Sequence, residues 1–497
     1  QAPRPGQAAP PGMSLDCLQT EVGRVFVAGS GFLADGYDLY IIGEVEKVIE
    51  AKYACGGSTD ADDCITEEDF KGFLAMLSSA ALWGAIAGQI IFGVLADRIG
   101  RRNIFIVTGS LLVFGAVLSA SCQTFGQGPR FMLYQLVVFR GILGFGIGGE
   151  YPLSATICAE GTAPRKRATM MSLVFANQGL GYLLAASIMV ILAYMEVSLE
   201  FFWRFPLAFG AILPGISLFF RMKMHESDDF SKVLKSRAHG ARGVGTASTA
   251  YRYAWHVLGT AGNWFIFDIV FYANSLFNAD VLRVIDVGPG GLKSMMLKTL
   301  VVVLIMLPGY FVGVALINRL GRKATQIQGY CNMILWFGVC GIFYSSLKDM
   351  PGLFVIIYGL TFFFANFGPN LTTYVIPGEI FPSQAKATLH GCSAAAGKLG
   401  AAIGSMVMPF VTGQPATPDG IRLAMLICSG LAIGGLILTL FLTPSYGPDD
   451  LEPQESEETV GFVPLFFQRK MKQSEWDALV DDSSEEESDS DGDSRSS

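Results

Sequence analysis

Apolar runs close to the length of a bilayer crossing recur along this chain, and they constrain its fold more than any other feature. They occupy residues 73–93, 104–120, 131–149, 170–192 and 205–220, then 300–317, 326–344, 353–367 and 423–442. About 20 predominantly apolar residues cross the hydrocarbon core as a helix. Allowing for helices interrupted by polar residues, the pattern predicts about twelve spans. They begin near Glu21, Gly72, Ile104, Phe131, Ala168, Phe202, Trp255, Ser294, Ala324, Met350, Thr388 and Ile421. Composition agrees: 51% hydrophobic against 16% charged residues leaves too little charge to cover a soluble surface. The expected class is an all-α integral membrane protein in a lipid bilayer.

The formal net charge of −8 is unevenly distributed. Much of the acid lies in the tail, at 481–493. Basic residues cluster in alternate loops: Arg98, Arg101 and Arg102; Arg165, Lys166 and Arg167; residues 221–252; and Arg319, Arg322 and Lys323. The intervening first loop carries Asp60, Asp62, Asp63, Glu67, Glu68 and Asp69. The positive-inside rule puts the basic loops, and with them both termini, in the cytoplasm. No cleavable signal-peptide pattern opens the chain. Residues 1–12 are rich in Pro, Gln and Ala without an initiator Met, which reads as truncation or processing. Cys55 and Cys64 share a predicted extracellular loop, where a local disulfide is plausible. Most other cysteines read as core packing. No His/Cys spacing suggests a metal, no cofactor is implied, and no nucleophile–base set or nucleotide loop suggests an enzyme. Nothing points to a nucleic-acid partner.

A repeat divides the chain in two. Gly93, Asp97, Arg98, Gly100, Arg101 and Arg102 recur as Gly313, Asn318, Arg319, Gly321, Arg322 and Lys323. Each copy closes the second helix of its half and opens the third, as parallel halves require. The glycines permit close approach and a tight turn, and acid and base can pair across the helix ends on the cytoplasmic face. Asn318 in place of Asp97 weakens such a pair in the second copy. The expected organisation is a cytoplasmic segment at 1–20, a six-helix bundle at 21–222, a charged cytoplasmic linker at 223–252, a second six-helix bundle at 253–445, and a tail at 446–497. The tail is acidic, serine-rich and expected to be disordered. Its serines are candidate kinase sites.

Ionisable groups inside spans are costly and point to function. Asp35 and Asp38 lie in the first span, Arg140 and Glu150 in the fourth, Asp268 in the seventh and Lys398 in the eleventh. Structural ion pairs would account for one or two of these and not for the set. Trp264, Asp268 and Tyr272 are spaced i, i+4, i+8 and share one helix face. Asn177 and Gln178 interrupt the fifth span. Asn366, Asn370, Thr372 and Thr373 interrupt the tenth, where Pro369 should kink the helix and free carbonyls toward a cavity.

At these residues the sequence resembles the phosphate:proton symporters of the major facilitator superfamily, the fungal and plant high-affinity phosphate transporters. The resemblance runs over roughly 20–445. Its most specific blocks are 148–156, 264–272, 367–373 and 390–398, with 221–224 after the sixth span. It implies the superfamily fold, with two pseudo-symmetric halves. It implies that Tyr151, Gln178, Trp264, Asp268, Tyr272 and Asn370 contact phosphate, and that Asp38 and Glu150 take part in proton transfer with Arg140 nearby. Lys398 is a possible charge partner. The family usually has Asp where Glu150 stands, and a Pro-Glu-Thr-like motif where this chain reads His225, Glu226 and Ser227. The second departure bears on cytoplasmic gating more than on substrate choice. Plasma membrane is the location the resemblance implies.

The side chains suit phosphate on their own chemistry. Tyr151, Gln178, Trp264, Tyr272 and Asn370 supply neutral donors for a tetrahedral oxyanion. Asp268 makes sense if the phosphate carries protons, because its carboxylate can accept from a phosphate O–H that sulfate lacks. Moving one negative charge against an inside-negative potential costs about 2.3 kcal/mol per 100 mV, which one co-transported proton cancels. Buried carboxyls are suitable carriers of that proton. Two alternatives remain open: a proton-coupled carrier of a glycerophosphodiester, an organic anion or a sugar, and a phosphate-sensing receptor with little flux.

Overall fold

The computed structural model describes residues 21–54, 65–224, 226, 253–275, 278, 281, 291–413 and 416–446. The Cys55/Cys64 loop, most of the charged linker and the acidic tail lie outside the described residues. The chain there is helical: α1 Glu21–Tyr53, α2 Glu67–Ile99, α3 Arg101–Ala120, α4 Gly128–Glu160, α5 Pro164–Tyr194, α6 Leu199–Phe209, α7 Ile212–Met222, α8 Ala254–Ser275, α9 Gly291–Leu320, α10 Arg322–Ile342, α11 Tyr344–Leu347, α12 Pro351–Asn366, α13 Pro369–Ile380, α14 Lys386–Thr412 and α15 Pro418–Leu442. Among the described residues, β pairing is limited to one bridge between Ala54 and Ile65. The α6/α7 and α12/α13 pairs are each one broken span, and α11 is a single turn, so twelve crossings result. Ten are long and apolar enough to cross a membrane by length and composition. The other two, α8 and α10, carry buried polar groups, among them Asn263, Asp268 and Asn274 on α8 and Thr325 and Gln326 on α10.

The boundaries follow local chemistry. Gly100 (φ 123°) and Gly321 (φ 84°) make the turns into α3 and α10, in a region that side chains disfavour. Prolines open α4, α5, α12, α13 and α15, where a missing N–H costs nothing. The expected break at Pro369 is present: Gly368 (φ −131°, ψ −114°) separates α12 from α13. A second break, at Gly210 and Ala211 between α6 and α7, was not expected. A side chain at Gly210 would collide with the Asp38 carboxylate, so glycine there gives that acid its space.

Helices α1–α7 pack into one bundle and α8–α15 into another, and the bundles meet chiefly along α2 with α14 and α5 with α9. Backbones approach closely at glycines. A Cβ on Gly84 or Gly144 would run into the facing backbone of α4 or α2, respectively. The polarity of the molecule is inverted relative to a water-soluble protein. Asp35, Arg140, Glu150 and Arg221 are wholly buried, whereas Phe26, Trp83, Ile90, Phe114, Phe219 and Leu304 face outward. Such an apolar outer surface needs lipid to cover it, and the protein is an integral membrane protein.

Gly144→Leu should destabilise the bundle by about 1–3 kcal/mol through overpacking. Gly430, on α15, faces open space, and Gly430→Ala should stabilise by about 0.5–1 kcal/mol. Thermal melts of both variants in detergent check the pair; equal melting points would contradict the packing described.

Candidate functional site

Where the two bundles meet, six polar side chains converge. Lys398 of α14 donates to the Tyr272 hydroxyl (2.8 Å) and to Asp268 Oδ2 (3.2 Å). Its ammonium also stands 4.8 Å from the Tyr151 ring centroid and 4.3 Å from that of Tyr272, within cation–π range. Gln178 of α5 donates to the Tyr151 hydroxyl (3.1 Å). The Tyr151 and Trp264 rings lie 6.0 Å apart and join the halves. Asn370 of α13 sits beside this group through Tyr310, donating to its hydroxyl (3.0 Å) and to Asn366 Oδ1 (2.7 Å). All of these side chains are buried. The i, i+4, i+8 stripe on α8 therefore faces one buried polar cluster, with Lys398 at its centre as the charge partner of Asp268. Sequence reasoning missed Tyr310, a lone tyrosine in an apolar run with no periodic signal. An ammonium surrounded by hydroxyl and amide groups suits an oxyanion.

The acids of the first bundle are arranged differently from each other. Glu150 is held in a bidentate pair by Arg221 (2.6 and 2.6 Å) and accepts from Thr108 (2.8 Å). Arg221 also donates to Ser217 and to the Phe105 carbonyl. Arg140 stands with Asp38, donating to its backbone carbonyl, and feels Glu46. Of the two expected neighbours of Arg140, the structure thus places it beside Asp38, while Glu150 has Arg221. The family block at 221–224 held that partner, but nothing in spacing links residues 71 apart. The carboxylate oxygens of Asp35 and Asp38 accept no hydrogen bond from the described residues. Asp35 lies within reach of the charges on Glu150, Arg221, Asp38 and Lys398, so it bridges the two groups.

The repeated loop motif forms a contact between the bundles. Asp97 accepts from the backbone N–H (2.8 Å) and hydroxyl (2.7 Å) of Thr388 and from Ala387 N–H (3.4 Å), at the positive end of α14. Arg101 pairs with Asp97 (3.2 Å) and Glu160 (3.0 Å) and donates to the Ser383 carbonyl (2.7 Å). Gly93 lets the α14 backbone approach. Glu226 accepts from the backbone N–H groups of Arg101 (3.1 Å) and Arg102 (3.2 Å), capping α3. Arg102 donates to the Met222 carbonyl (2.8 Å), and Arg98 is exposed at the helix end. In the second copy, Arg322 pairs with Glu379 in bidentate fashion (2.8 and 2.9 Å), and Asn318 donates to Thr169 (2.7 Å) and to the Arg165 carbonyl (3.2 Å). On the opposite face, Lys293 pairs with Glu196 across the halves (2.5 Å). The ammonium there holds the Glu196 carboxyl below the ordinary carboxylate range.

Comparison with known proteins gives consistent results. The family described as Sugar (and other) transporter matches residues 24–249 and 267–456. Low affinity inorganic phosphate transporter 1 of Petunia hybrida is 33% identical over 502 residues, covering 87% of this chain and 93% of that protein. Inorganic phosphate transporter 1-2 of Oryza sativa subsp. japonica is 33% identical over 491 residues, covering 85% and 91%. Among solved structures, the proton:xylose symporter XylE of the major facilitator superfamily aligns with a TM-score of 0.70 at 18% identity, covering 86% of this chain and 97% of that one. The human organic anion transporter MFSD10 aligns at 0.61 and 16% identity, covering 87% and 100%. These likenesses to solved structures show the fold alone.

Removing one member of the Glu150–Arg221 pair should cost about 3–5 kcal/mol, because the other charge is left buried and alone. Arg221→Met should therefore melt well below wild type in detergent, and adding Glu150→Gln should restore much of the loss. A double variant no more stable than Arg221→Met would show that the pair is not a unit.

Proposed function

We propose, from the premise that the chain belongs to the sugar (and other) transporter family of the major facilitator superfamily and to its inorganic phosphate transporters, that it carries inorganic phosphate together with protons across a membrane. The observation that carries this reading is the buried polar cluster around Lys398, Asp268 and Tyr272 at the junction of the halves, which we take as the substrate chamber. A neutral sugar gains little from an ammonium at the centre of its site, whereas an oxyanion gains a charge-assisted bond. Phosphate enters as a partner for Lys398 and the donors Tyr151, Gln178, Trp264, Tyr272 and Asn370. Asp268, freed from Lys398, accepts from the phosphate O–H, and sulfate, without that proton, leaves Asp268 facing an anion unbridged.

Protons travel on the acids of the first bundle. Asp38 and Glu150 remain the carriers, and Asp35 joins them because its carboxylate is buried, accepts no hydrogen bond from the described residues and feels both. Glu150 must exchange Arg221 for a proton to take part, which couples its protonation to the position of α7. Alternating access rocks the two bundles about the chamber, with the Asp97 and Arg101 contacts closing one side. We place the basic loops and that closed side in the cytoplasm, by the positive-inside rule, and the protein in the plasma membrane.

Radiolabelled phosphate uptake into proteoliposomes tests the reading. An inward proton gradient should drive uptake that excess sulfate does not block; absence of uptake by folded protein would remove phosphate as the cargo. Asp268→Asn should lower uptake at least about tenfold or admit sulfate, since a buried site loses a charge-assisted bond. Normal uptake with unchanged selectivity in that variant would refute the role of Asp268. Asp38→Asn should move phosphate without acidifying the lumen; intact acidification would exclude Asp38 as a carrier.

A further inference from the structure

Five aromatic rings close into a loop on one side of the chamber. Phe32 of α1 meets Tyr151 of α4 edge-on (4.9 Å), Tyr151 meets Trp264 of α8 (6.0 Å), and Trp264 meets His390 of α14 edge-on (5.6 Å, 87°). His390 meets Tyr374 of α13 (5.4 Å, 83°), and Tyr374 returns to Phe32 (5.0 Å). All five are buried. Two rings come from the first bundle and three from the second, so the loop crosses the boundary between bundles twice, at Tyr151/Trp264 and at Tyr374/Phe32. Tyr151 and Trp264 belong to the polar groups themselves, and from them the loop extends toward the Asp97 side. Tyr374 is one turn from Asn370 toward the Glu379 end of α13, and Trp264 one turn from Asp268 toward the start of α8. His390 is two turns from Lys398, about 12 Å along the helix, toward the start of α14.

We propose that Phe32, Tyr151, Trp264, His390 and Tyr374 form the inner gate of the chamber, a collar that bars passage to the Asp97 side until the bundles separate there; this rests on the transport reading above. The geometry is that of a gate rather than a fixed core. The contacts between bundles are ring against ring, with no hydrogen bond between these side chains, so they part without breaking a charged pair. Besides its ring contact, His390 meets α13 at the Tyr374 carbonyl, 3.2 Å from its Nε2. Two polar atoms inside the collar, His390 Nδ1 and the Tyr374 hydroxyl, have no hydrogen-bond partner among the described residues. A buried polar group without a partner is a cost that contact with water removes. The closed collar bears that cost and the open one does not, which keeps closure from becoming a trap. His390 is a positioning residue for Trp264 and Tyr374 for Phe32 in the closed state, and both are the first polar groups on the way out once it opens.

Purified full chain in liposomes tests this with two readouts, phosphate turnover and, in buffer without phosphate, proton leak followed with a lumenal pH dye. Tyr374→Phe keeps the ring and removes the orphan hydroxyl, so it should leave phosphate binding unchanged and slow turnover about tenfold. Tyr374→Ala and His390→Ala open a gap in the collar and should leak protons where wild type holds the gradient. Alanine variants as tight as wild type, or Tyr374→Phe with wild-type turnover, would overturn the gate. If the alanine variants do not fold, Tyr374→Phe decides. If wild type neither binds nor moves phosphate, the transport reading fails, and the leak still decides the collar.

Discussion

A charge placed among apolar helices is costly unless it meets its opposite on a neighbouring element, and four such pairs organise the bundle. Glu150 of α4 and Arg221 of α7, Asp268 of α8 and Lys398 of α14, Glu379 of α13 and Arg322 of α10, and Glu160 of α4 and Arg101 of α3 each join two helices of one half. In a medium that screens little, each pair is expensive to break and sensitive to geometry. Pairing within the halves makes each half a unit. Between them run links of other kinds: ring contacts, a carboxylate at a helix end, the Arg101 guanidinium on the Ser383 carbonyl, the Lys398 ammonium over the Tyr151 ring, neutral hydrogen bonds and an exposed ion pair at Lys293. Stiff halves with a soft boundary are what a rocking carrier requires.

The two copies of the loop motif show how the halves diverged. Arg101 with Glu160 and Arg322 with Glu379 are equivalent pairs, one at each repeat. Asp97 and Asn318 occupy matching places but bind across the boundary in opposite senses. Asp97 accepts from the N–H groups that open α14, a charge at the favourable end of a helix. Asn318 donates to Thr169 and to a carbonyl at the start of α5, with no charge involved. The α2/α14 boundary is thus tied more strongly than α9/α5, an asymmetry that one changed residue produces.

Much of this was legible in the sequence where the signal was periodic or repeated. Apolar run length marked nine of the twelve crossings, the duplicated motif marked the halves, and Trp264, Asp268 and Tyr272 on one face of α8 marked the polar cluster. Pro369 marked its own break. Contacts that depend on three-dimensional closure left no such trace. Arg221 reads as a basic residue at a helix end, yet it is buried against Glu150. Tyr310 and Gly210 carry no pattern of their own, and Glu226, although part of the motif tied to cytoplasmic gating, gives no sign in the sequence that it caps α3. Arg140 was placed with the acids of the first bundle, but only the fold sorted which acid it faces.

The break at Gly368 also has a mechanical consequence. It makes α13 a separate rod of 12 residues, about 17 Å long, buried among its neighbours and broken from α12 at one end. Near the break Asn370 touches the chamber, and near the tip Glu379 grips Arg322 and the Tyr446 hydroxyl. Tilting such a rod by about 10° shifts its base by a fraction of an ångström and its tip by about 3 Å, the span of a hydrogen bond. The helix is thus a lever with a short arm at the chamber and a long arm at the membrane edge. A slight readjustment beside Asn370 is magnified, without any further part, into a movement large enough to change partners at the far end.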